Sequence, residues 1–546
     1  MKWIDRYLLL VLGGFLIGFI PLYPKLPLFD LIPGYLVRVR LEDIFIALTT
    51  AVWLIQLIRK KVTLKIPLAK LFGLYLLAGL LSLISAIFIT KTIPFELLHV
   101  GKSALHLLRY LEYFTLFFII FSALKTKKDL GILLTVSFIT LFAVSVYGVG
   151  QRYLYWPVYS TMNREFSNGL RLYLTPHARV QSTFGGHYDL GGYLVLTLPF
   201  VLAAIYSFTK KKQRLALYIL FYFGIWLITV SASRASFGSL ILALAVVVTI
   251  FALQQKTLLK KITWFLRQSI LIATGSGLLL ALFGQDMYER LIQILEGFPA
   301  ANSWYEQANK QAKVVFYEYI PEHLSFLPTI TIDKPANGLS TDEAAAIVPV
   351  LVPSDERPVT KQPSDVYVNV PDQKLVATVS AEGVETMVLV ETERVYSQNA
   401  LDRGLSVAIR LDTLWPQAIA GFYSNPLLGS GYATLTKETV QQFTEAESTD
   451  NNYLRSLGET GLAGFITFYG SITAALTLTI RTLRKKAGKK LTAFEKIVLI
   501  GFIAGTLGLL LNAVYIDVFV ASKIAQLYWA YAGMAMAVYF WHKNEK

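Results

Sequence analysis

The stretch Thr449-Asp450-Asn451-Asn452-Tyr453-Leu454-Arg455-Ser456-Leu457-Gly458-Glu459-Thr460-Gly461-Leu462-Ala463-Gly464 marks the point where a long polar segment gives way to a strongly apolar one. Asp450, Asn451 and Asn452 are residue types that favour helix N-caps, and the residues after Tyr453 have the composition of a helix entering a membrane. We therefore predict a carboxylate and two carboxamides at a helix N-terminus, at the boundary between water and hydrocarbon. Polar groups in that position can bind a polar headgroup whose tail stays in the lipid.

The whole chain has the composition of an all-α polytopic membrane protein. Of its 546 residues, 54% are hydrophobic, and several apolar runs reach the roughly 20 residues that cross a bilayer as a helix. The net charge of +15 is concentrated in short loops between these runs, a pattern that encodes membrane orientation, so we do not expect nucleic acid as a partner. The chain has no cysteine, which excludes a disulfide, a cysteine-ligated metal and a thiol nucleophile.

About twelve transmembrane helices account for the apolar runs. They are predicted near residues 7–20, 41–58, 68–89, 103–121, 130–149, 188–208, 215–230, 235–253, 269–283, 452–481, 494–514 and 522–541. If both termini are cytoplasmic, every basic cluster falls on one side, as expected for a multi-pass protein of a cytoplasmic (inner) membrane. The first run has no Ala-x-Ala cleavage site, and we interpret it as a retained helix.

This topology divides the chain into three segments. Residues 1–285 hold helices one to nine, residues 286–450 form a large external loop, and residues 451–546 hold helices ten to twelve. Within the loop, β-type runs punctuated by Pro, Asp, Gly and Ser occur at 314–317, 329–332, 348–352 and 376–379. We therefore expect a small β-rich external insert at about 299–394.

Helix four carries polar side chains on one face, because they recur at spacings of three, four and seven. These residues are His99, Lys102, His106, Arg109 and Tyr113. One interpretation is a snorkelling stripe at the membrane interface, with a contact between Arg109 and Glu112. The other is the wall of a hydrophilic cavity that receives an anionic group. A metal site is not expected, since the two histidines are two turns apart.

Three further groups lie near the predicted external face. Arg179 and His187 flank a Gly-rich lead into helix six, whose backbone amides can approach a phosphate; ordinary capping by Asp189 is the alternative. Arg234 occupies the tight turn between helices seven and eight, where it either anchors to lipid headgroups or binds pyrophosphate. Arg410 precedes the run Asn425-Pro426-Leu427-Leu428-Gly429-Ser430-Gly431-Tyr432.

The topology puts all these groups in the same layer as Asp450. Arginines beside a carboxylate at a helix N-terminus suit a lipid-linked pyrophosphate substrate. The carboxylate can act as general base for an acceptor hydroxyl while the arginines stabilise the leaving pyrophosphate. Candidate ligands of the substrate are Arg179, Arg410, Arg109, Lys102, Asn451 and Tyr453.

The order of these motifs resembles the O-antigen ligase and Wzy-type O-antigen polymerase family of bacterial membrane glycosyltransferases. The resemblance is carried by Arg179 with Ser182-Thr183-Phe184-Gly185, Ser233-Arg234-Ala235, Arg410 with the 425–431 run, and Asp450-Asn451-Asn452-Tyr453-Leu454 with 458–464. It implies a GT-C-like fold. It also implies inverting glycan transfer outside the membrane, from an undecaprenyl-pyrophosphate-linked oligosaccharide to a glycan or glycolipid acceptor, without metal, nucleotide sugar or cofactor. Arg179, Arg234 and Arg410 match the positions expected to hold pyrophosphate.

The chain departs from this family at one position. Where ligases place a histidine before asparagine, this chain has Asp450, whose unperturbed pKa of about 4 makes it a weaker base than imidazole. Either burial tunes Asp450 upward, or the acceptor differs, or His187 supplies the imidazole. The departure favours a polymerase or general glycan transferase over a ligase. The alternatives from other classes are a flippase for lipid-linked glycan and a non-catalytic membrane protein that binds glycan through its insert.

Overall fold

The computed structural model describes residues 2–31, 38–162, 166–174, 178–287, 372–379, 385–392, 397–403, 405–435, 448–485 and 491–544. The chain divides into two compact units. The first comprises Met1–Tyr288 with Gln417–Lys546, and the second comprises Glu289–Pro416. The predicted external loop at 286–450, with its β-rich insert, stays a prediction.

Helices form most of the described chain. Those up to the insertion are α1 (Lys2–Leu22), α2 (Leu41–Ile58), α3 (Ala69–Phe88), α4 (Leu97–Ala123), α5 (Lys127–Tyr153), α6 (His187–Ser207), α7 (Lys211–Val230), α8 (Arg234–Leu253) and α9 (Leu258–Phe283). The later helices, from the second unit onwards, are α10 (Gln398–Arg403), α11 (Leu405–Ile409), α12 (Trp415–Ser424), α13 (Asn452–Lys485), α14 (Ala493–Asn512) and α15 (Ser522–Asn544), with a π-helical turn at Arg410–Leu414.

Eleven of the described helices, α1 to α9 with α13 and α14, are long and apolar enough to cross a membrane. A polytopic all-α membrane architecture is thereby confirmed. The helix predicted near 522–541 is present as α15, but it is not among these eleven. Its residues are buried from Lys523 to Val538. A helix enclosed by protein on all sides is not selected for contact with lipid, which explains why α15 tolerates Lys523 and Gln526.

The centre of the first unit is built on close contact between α6 and α14. Three glycines of α14 permit this approach, because a Cβ at Gly501 would lie 2.5 Å from the Phe200 ring and one at Gly505 would lie 2.8 Å from the Leu196 carbonyl. Small residues spaced four apart let membrane helices pack backbone to backbone. The third, Gly508, faces both α6 and α8. The helix carrying His187 is therefore fixed against the helix that ends at Asn512.

Helices α4 and α9 begin well before the positions that the sequence predicts. Helix α4 begins at Leu97 and α9 at Leu258, whereas the predictions began near 103 and 269. The prediction for α9 excluded its basic residues, but the helix includes Lys260, and Thr257 caps it by accepting a hydrogen bond from the Lys260 amide at 3.4 Å. Long basic side chains extend towards the interface, so a membrane helix can include them at its ends.

Two antiparallel hairpins are the described β structure. In the first unit β1 (Pro27–Asp30) pairs with β2 (Arg38–Arg40) in the connection after α1. In the second unit β3 (Asp372–Val379) pairs with β4 (Glu385–Thr392). The strand predicted at 376–379 is part of β3. The other predicted strands, at 314–317, 329–332 and 348–352, lie outside the described residues.

Candidate functional site

Arg179 and His187 form a buried pair at the start of α6. The Arg179 Nη1 atom lies 2.5 Å from His187 Nε2, and the two residues are 5% and 1% exposed. An arginine can only donate, so Nε2 of His187 is the acceptor of this hydrogen bond. The Val180 amide donates to the Val230 carbonyl at 3.2 Å, which attaches the segment carrying Arg179 to the end of α7.

Arg234 is the first residue of α8 and lies beside the same helix start. Its N-cap residue Ser233 donates to Ser236 Oγ at 2.9 Å, and the Asn512 amide at the end of α14 donates to the same oxygen at 3.2 Å. A Cβ added to Gly191 in the first turns of α6 would lie 2.6 Å from Ser236 Cβ. These contacts bring together the ends of α6, α8 and α14, which the topology predicts on one side.

Asp450 occupies a strained position immediately before α13. Its φ of +52° lies in the left-handed region, which aspartate tolerates better than most residues. Its Oδ1 lies 2.8 Å from Ser448 Oγ, whose single hydroxyl proton is shared between this carboxylate and that of Asp517. The helix cap is Asn451, whose Oδ1 accepts from the amides of Tyr453 and Leu454, both at 3.0 Å. The predicted helix N-terminus is thus confirmed, with one residue acting as the cap and Asp450 projecting before it.

The next two residues tie α13 to the end of α14. The Asn452 amide donates to the Ala513 carbonyl, and its Oδ1 accepts from the Phe519 amide, both at 2.9 Å. The Tyr453 hydroxyl donates to the Leu510 carbonyl at 2.7 Å. Because Asn512 contacts α8 from the same helix end, the Asp450 segment and the Arg234 turn attach to neighbouring residues of α14. Substrate binding by Asn451 and Tyr453 stays a prediction.

Asp517 holds the Asp450 segment in place, and the sequence reasoning missed it. Its carboxylate accepts from the amides of Thr449 at 3.0 Å and Asn451 at 3.1 Å, from Ser448 Oγ at 2.9 Å and from Arg455 Nη1 at 2.9 Å. Asp517 is 7% exposed, so these four donors compensate a charge removed from water. The available signal was a single acid within the apolar connection 513–521.

Arg455 extends this ionic cluster along α13. Its Nε lies 3.3 Å from Glu459 Oε1, and that carboxylate accepts from the Ala433 amide at 3.2 Å. Arg455 and Glu459 are 7% and 3% exposed. Their spacing of four residues places them on one helix face. The cluster of Asp517, Arg455 and Glu459 therefore joins the Asp450 segment to the connection 425–435.

The run Asn425–Tyr432 and the glycines of 458–464 meet at a break in α13. Gly461 has φ +60° and ψ −163°, a conformation outside the helix. The amides of Leu462 and Ala463, released by the break, donate to the carbonyls of Pro426 at 2.9 Å and Leu427 at 3.0 Å. Non-helical backbone at membrane depth is stable only where protein satisfies its hydrogen bonds. The two motifs are thus held together by backbone hydrogen bonds at the break in α13.

The polar face of α4 is turned inward. Arg109 Nη1 lies 2.9 Å from Asp43 and 3.6 Å from Glu112, so the predicted contact between Arg109 and Glu112 is confirmed. Lys102 is 2% exposed, and the neighbouring Ser103 donates to the Tyr432 carbonyl at 2.9 Å. A buried lysine does not snorkel, so the position of Lys102 disagrees with the snorkelling interpretation, while the cavity-wall interpretation stays a prediction. Substrate binding by Lys102 and Arg109 stays a prediction.

A second charged network surrounds the start of α15. The Lys523 ammonium donates to the carbonyls of Tyr23 at 2.6 Å and Thr183 at 2.7 Å, and so joins the end of α1 to the lead into α6. Lys25 pairs with Asp189 at 2.8 Å, which replaces the ordinary capping considered for that aspartate. Burial lowers the pKa of the Arg40 guanidinium, and the neighbouring Glu42 carboxylate opposes that shift.

Arg410 belongs to the second unit, where it opens the π-helical turn Arg410–Leu414. Within this unit Asp412 accepts hydrogen bonds from Ser397 and Asn399, both at 2.5 Å. These bonds hold the pKa of the Asp412 carboxyl below its usual value. Binding of pyrophosphate by Arg410 stays a prediction.

The charged site residues of the first unit are arginines, a lysine, a histidine and carboxylates. Within the ranges that the structure describes, no group of three or more His, Asp or Glu side chains is placed to hold a metal ion. No protein-family model matches the chain, and no curated protein matches it significantly. The resemblance to O-antigen ligases and polymerases therefore rests on the motifs and their arrangement.

Proposed function

We propose that this protein transfers or polymerises glycan, moving it from a polyprenyl-pyrophosphate-linked oligosaccharide to an acceptor sugar hydroxyl at the outer face of the membrane. The observation that supports this best is the convergence of separate helix ends. The segments carrying Arg234 and Asp450 attach to the end of α14 through Asn512 and Ala513. The start of α6, which carries His187 and its partner Arg179, packs through Gly191 against Ser236 of α8. Cations and a carboxylate in one layer suit a pyrophosphate leaving group and a proton acceptor.

In this proposal the acceptor oxygen attacks the anomeric carbon from the face opposite the leaving group. The bond from that carbon to the pyrophosphate oxygen breaks, the configuration inverts, and the polyprenyl pyrophosphate leaves with the bonding electrons. Asp450 takes the hydroxyl proton as general base. Arg179 and Arg234 stabilise the charge that develops on the leaving group, since guanidinium matches phosphate oxygens in geometry and in charge.

The geometry favours Asp450 over His187 as that base. The Nε2 lone pair of His187 already accepts a hydrogen bond from Arg179, and the imidazole is 1% exposed. A group bound in this way positions the arginine and is poorly placed to receive a proton from an acceptor. Asp450 lies beside the helix cap and is only partly buried, so an acceptor sugar can approach it.

The bilayer has a direct part in this proposal. The eleven candidate spans form a helical scaffold that can hold a lipid-linked donor with its headgroup at one membrane face. We infer a GT-C-like arrangement in an inner membrane with both termini cytoplasmic, so that the site and the large loop lie outside. The acceptor is then a glycan or glycolipid that reaches the same face.

The first test is transfer by purified protein in detergent, with polyprenyl-pyrophosphate-linked oligosaccharide as donor and acceptor. Asp450→Asn and Arg234→Ala are each expected to lower the rate by about 100-fold or more, because each removes a group that acts in the transition state. Asp30→Asn is the matched control, since Asp30 is an exposed carboxylate of β1 outside the site. Full activity of a folded Asp450→Asn variant would remove Asp450 as the base.

A flippase for the same lipid-linked glycan is the second candidate, and one observation favours it. Charged side chains reach into the spans: Arg109 with Glu112 lies within α4, and Arg455 with Glu459 lies within α13. Ionisable groups inside membrane helices often mark a transport path. The test uses labelled lipid-linked glycan in vesicles. If the wild-type protein moves it across the membrane without lengthening it, and Asp450→Asn moves it equally well, the protein is a flippase.

A further inference from the structure

A cavity of about 400 Å³ lies at the opposite end of the helices from the proposed catalytic layer. It is formed where α6 ends, α7 begins, α8 ends and α9 begins. Its lining includes Tyr206, Arg214, Phe251, Gln255, Trp264 and Gln268. None of these residues takes part in the proposed transfer reaction, so the cavity needs an explanation of its own.

Two residues that line this cavity, Tyr206 and Arg214, carry buried hydrogen-bond donors without acceptors among the described residues. The Tyr206 hydroxyl and the Arg214 Nε are inaccessible to solvent, and neither bonds to any residue that the structure describes. The hydroxyl of Ser207, next along the chain, is in the same condition. A buried polar group left without a partner costs roughly 1–3 kcal/mol. Because the unsatisfied lining atoms are donors and one belongs to a cation, an anionic acceptor is the ligand that would satisfy them together.

Aromatic rings form the walls of the cavity. The Tyr206 ring meets Phe251 edge to face at 5.2 Å and Trp264 edge to face at 5.1 Å. Tyrosine and tryptophan rings of this kind favour the level of lipid headgroups, where one side is apolar and the other is polar. The walls therefore suit a ligand with a charged head and an apolar continuation.

The surroundings add positive charge and lipid-facing surface. Lys210, Lys211 and Lys212 lie in the sequence between the lining residues Thr209 and Arg214, on the side that the basic loops predict to be cytoplasmic. Helix α9 has no buried residue, so its apolar side chains are available to acyl chains. Basic pockets between membrane helices on that side bind phospholipid headgroups.

We propose that this cavity binds the phosphate headgroup of an anionic glycerophospholipid of the inner leaflet. Arg214 and Tyr206 contact the phosphate oxygens, the glutamine amides contact the polar head, and the acyl chains lie along α9. The site is independent of glycan transfer, so its test does not depend on that reaction.

The test is native mass spectrometry of the purified full chain in detergent with added phosphatidylglycerol or phosphatidylcholine of identical acyl chains. Wild-type protein is expected to retain phosphatidylglycerol at least fivefold better than phosphatidylcholine. Arg214→Gln and Tyr206→Phe are each expected to remove this preference. Tyr206→Phe deletes only the hydroxyl oxygen and keeps the aromatic ring. Arg267→Gln is the matched control, because Arg267 is an exposed cation of α9 next to the lining residue Gln268.

Three results would overturn the proposal. The first is an unchanged preference in folded Tyr206→Phe or Arg214→Gln protein. The second is an equal loss of preference in Arg267→Gln, which would indicate only general attraction to a basic surface. The third is displacement of the lipid by millimolar inorganic phosphate, which would assign the cavity to a soluble anion. Tyr206→Phe keeps the test valid if Arg214→Gln does not fold.

Discussion

Replacing Gly461 with alanine is expected to destabilise the protein by about 3 kcal/mol or more, through backbone strain together with steric overlap. Gly461 has φ +60° and ψ −163°, a region that is open essentially to glycine alone. A Cβ there would also lie 2.5 Å from both the Leu427 carbonyl oxygen and the Leu428 amide nitrogen. These are backbone atoms, so the contact cannot be relieved by a side-chain rotation. The measurement is the free energy of unfolding in detergent by denaturant titration.

The same helix contains a matched control. A Cβ added to Gly470 of α13 meets no atom of the described chain within 4 Å. Gly470→Ala is therefore expected to be neutral or to stabilise by roughly 0.5–1 kcal/mol, since alanine is the better helix former. If Gly461→Ala and Gly470→Ala unfold at the same denaturant concentration, the break in α13 is not a constrained element.

Replacing Asp517 with alanine is expected to have the second large effect, a loss of about 3–5 kcal/mol. The change removes the partner of Arg455 Nη1, 2.9 Å away, and leaves the amides of Thr449 and Asn451 without their acceptor. The lost energy is mainly the cost of leaving two buried amides and the Nη1 of Arg455 without an acceptor, since Arg455 then keeps only its contact with Glu459. The measurement is again unfolding in detergent.

Asp30→Ala is the control for this prediction. Asp30 accepts from Arg38 at 2.8 Å, which is nearly the distance between Arg455 and Asp517, but the Asp30 side chain is 48% exposed. An exposed ion pair contributes about 0–1 kcal/mol, so this variant should unfold close to wild type. The free energy of unfolding of Asp517→Asn, which keeps one acceptor oxygen, should lie between those of Asp517→Ala and Asp30→Ala. Equal stability of Asp517→Ala and Asp30→Ala would show that burial does not strengthen the cluster.

The Asp517 prediction also concerns the proposed catalysis. The carboxylate bonds to residues on both sides of Asp450, and so it holds that residue at φ +52° before the helix cap. A variant that folds but leaves this segment loose should lose transfer activity while binding of the donor remains. Asp517 is thus a positioning residue for the proposed base.

Several features of the fold were predicted from residues that are close in the chain. Helix α2 runs from Leu41 to Ile58 as predicted, because an apolar run and the basic residues that follow it are local signals. The starts of α6 at His187 and α8 at Arg234 fall within one residue of the predictions for the same reason. The predicted strand at 376–379 lies within β3, and the other three predicted strands of the insert lie outside the described residues.

The sequence by itself determined the membrane class, the apolar helices and the polar residues that open them, because each depends on composition or periodicity within about 20 residues. The tertiary structure alone decided which groups meet. Arg455 and Asp517 are 62 positions apart, and Ser82 donates to Glu459 across 377 positions. The break at Gly461 is stable because a loop from another part of the chain supplies acceptors for Leu462 and Ala463. Pairings of this kind arise from helix packing, where the need to satisfy buried polar groups selects partners that no local pattern specifies.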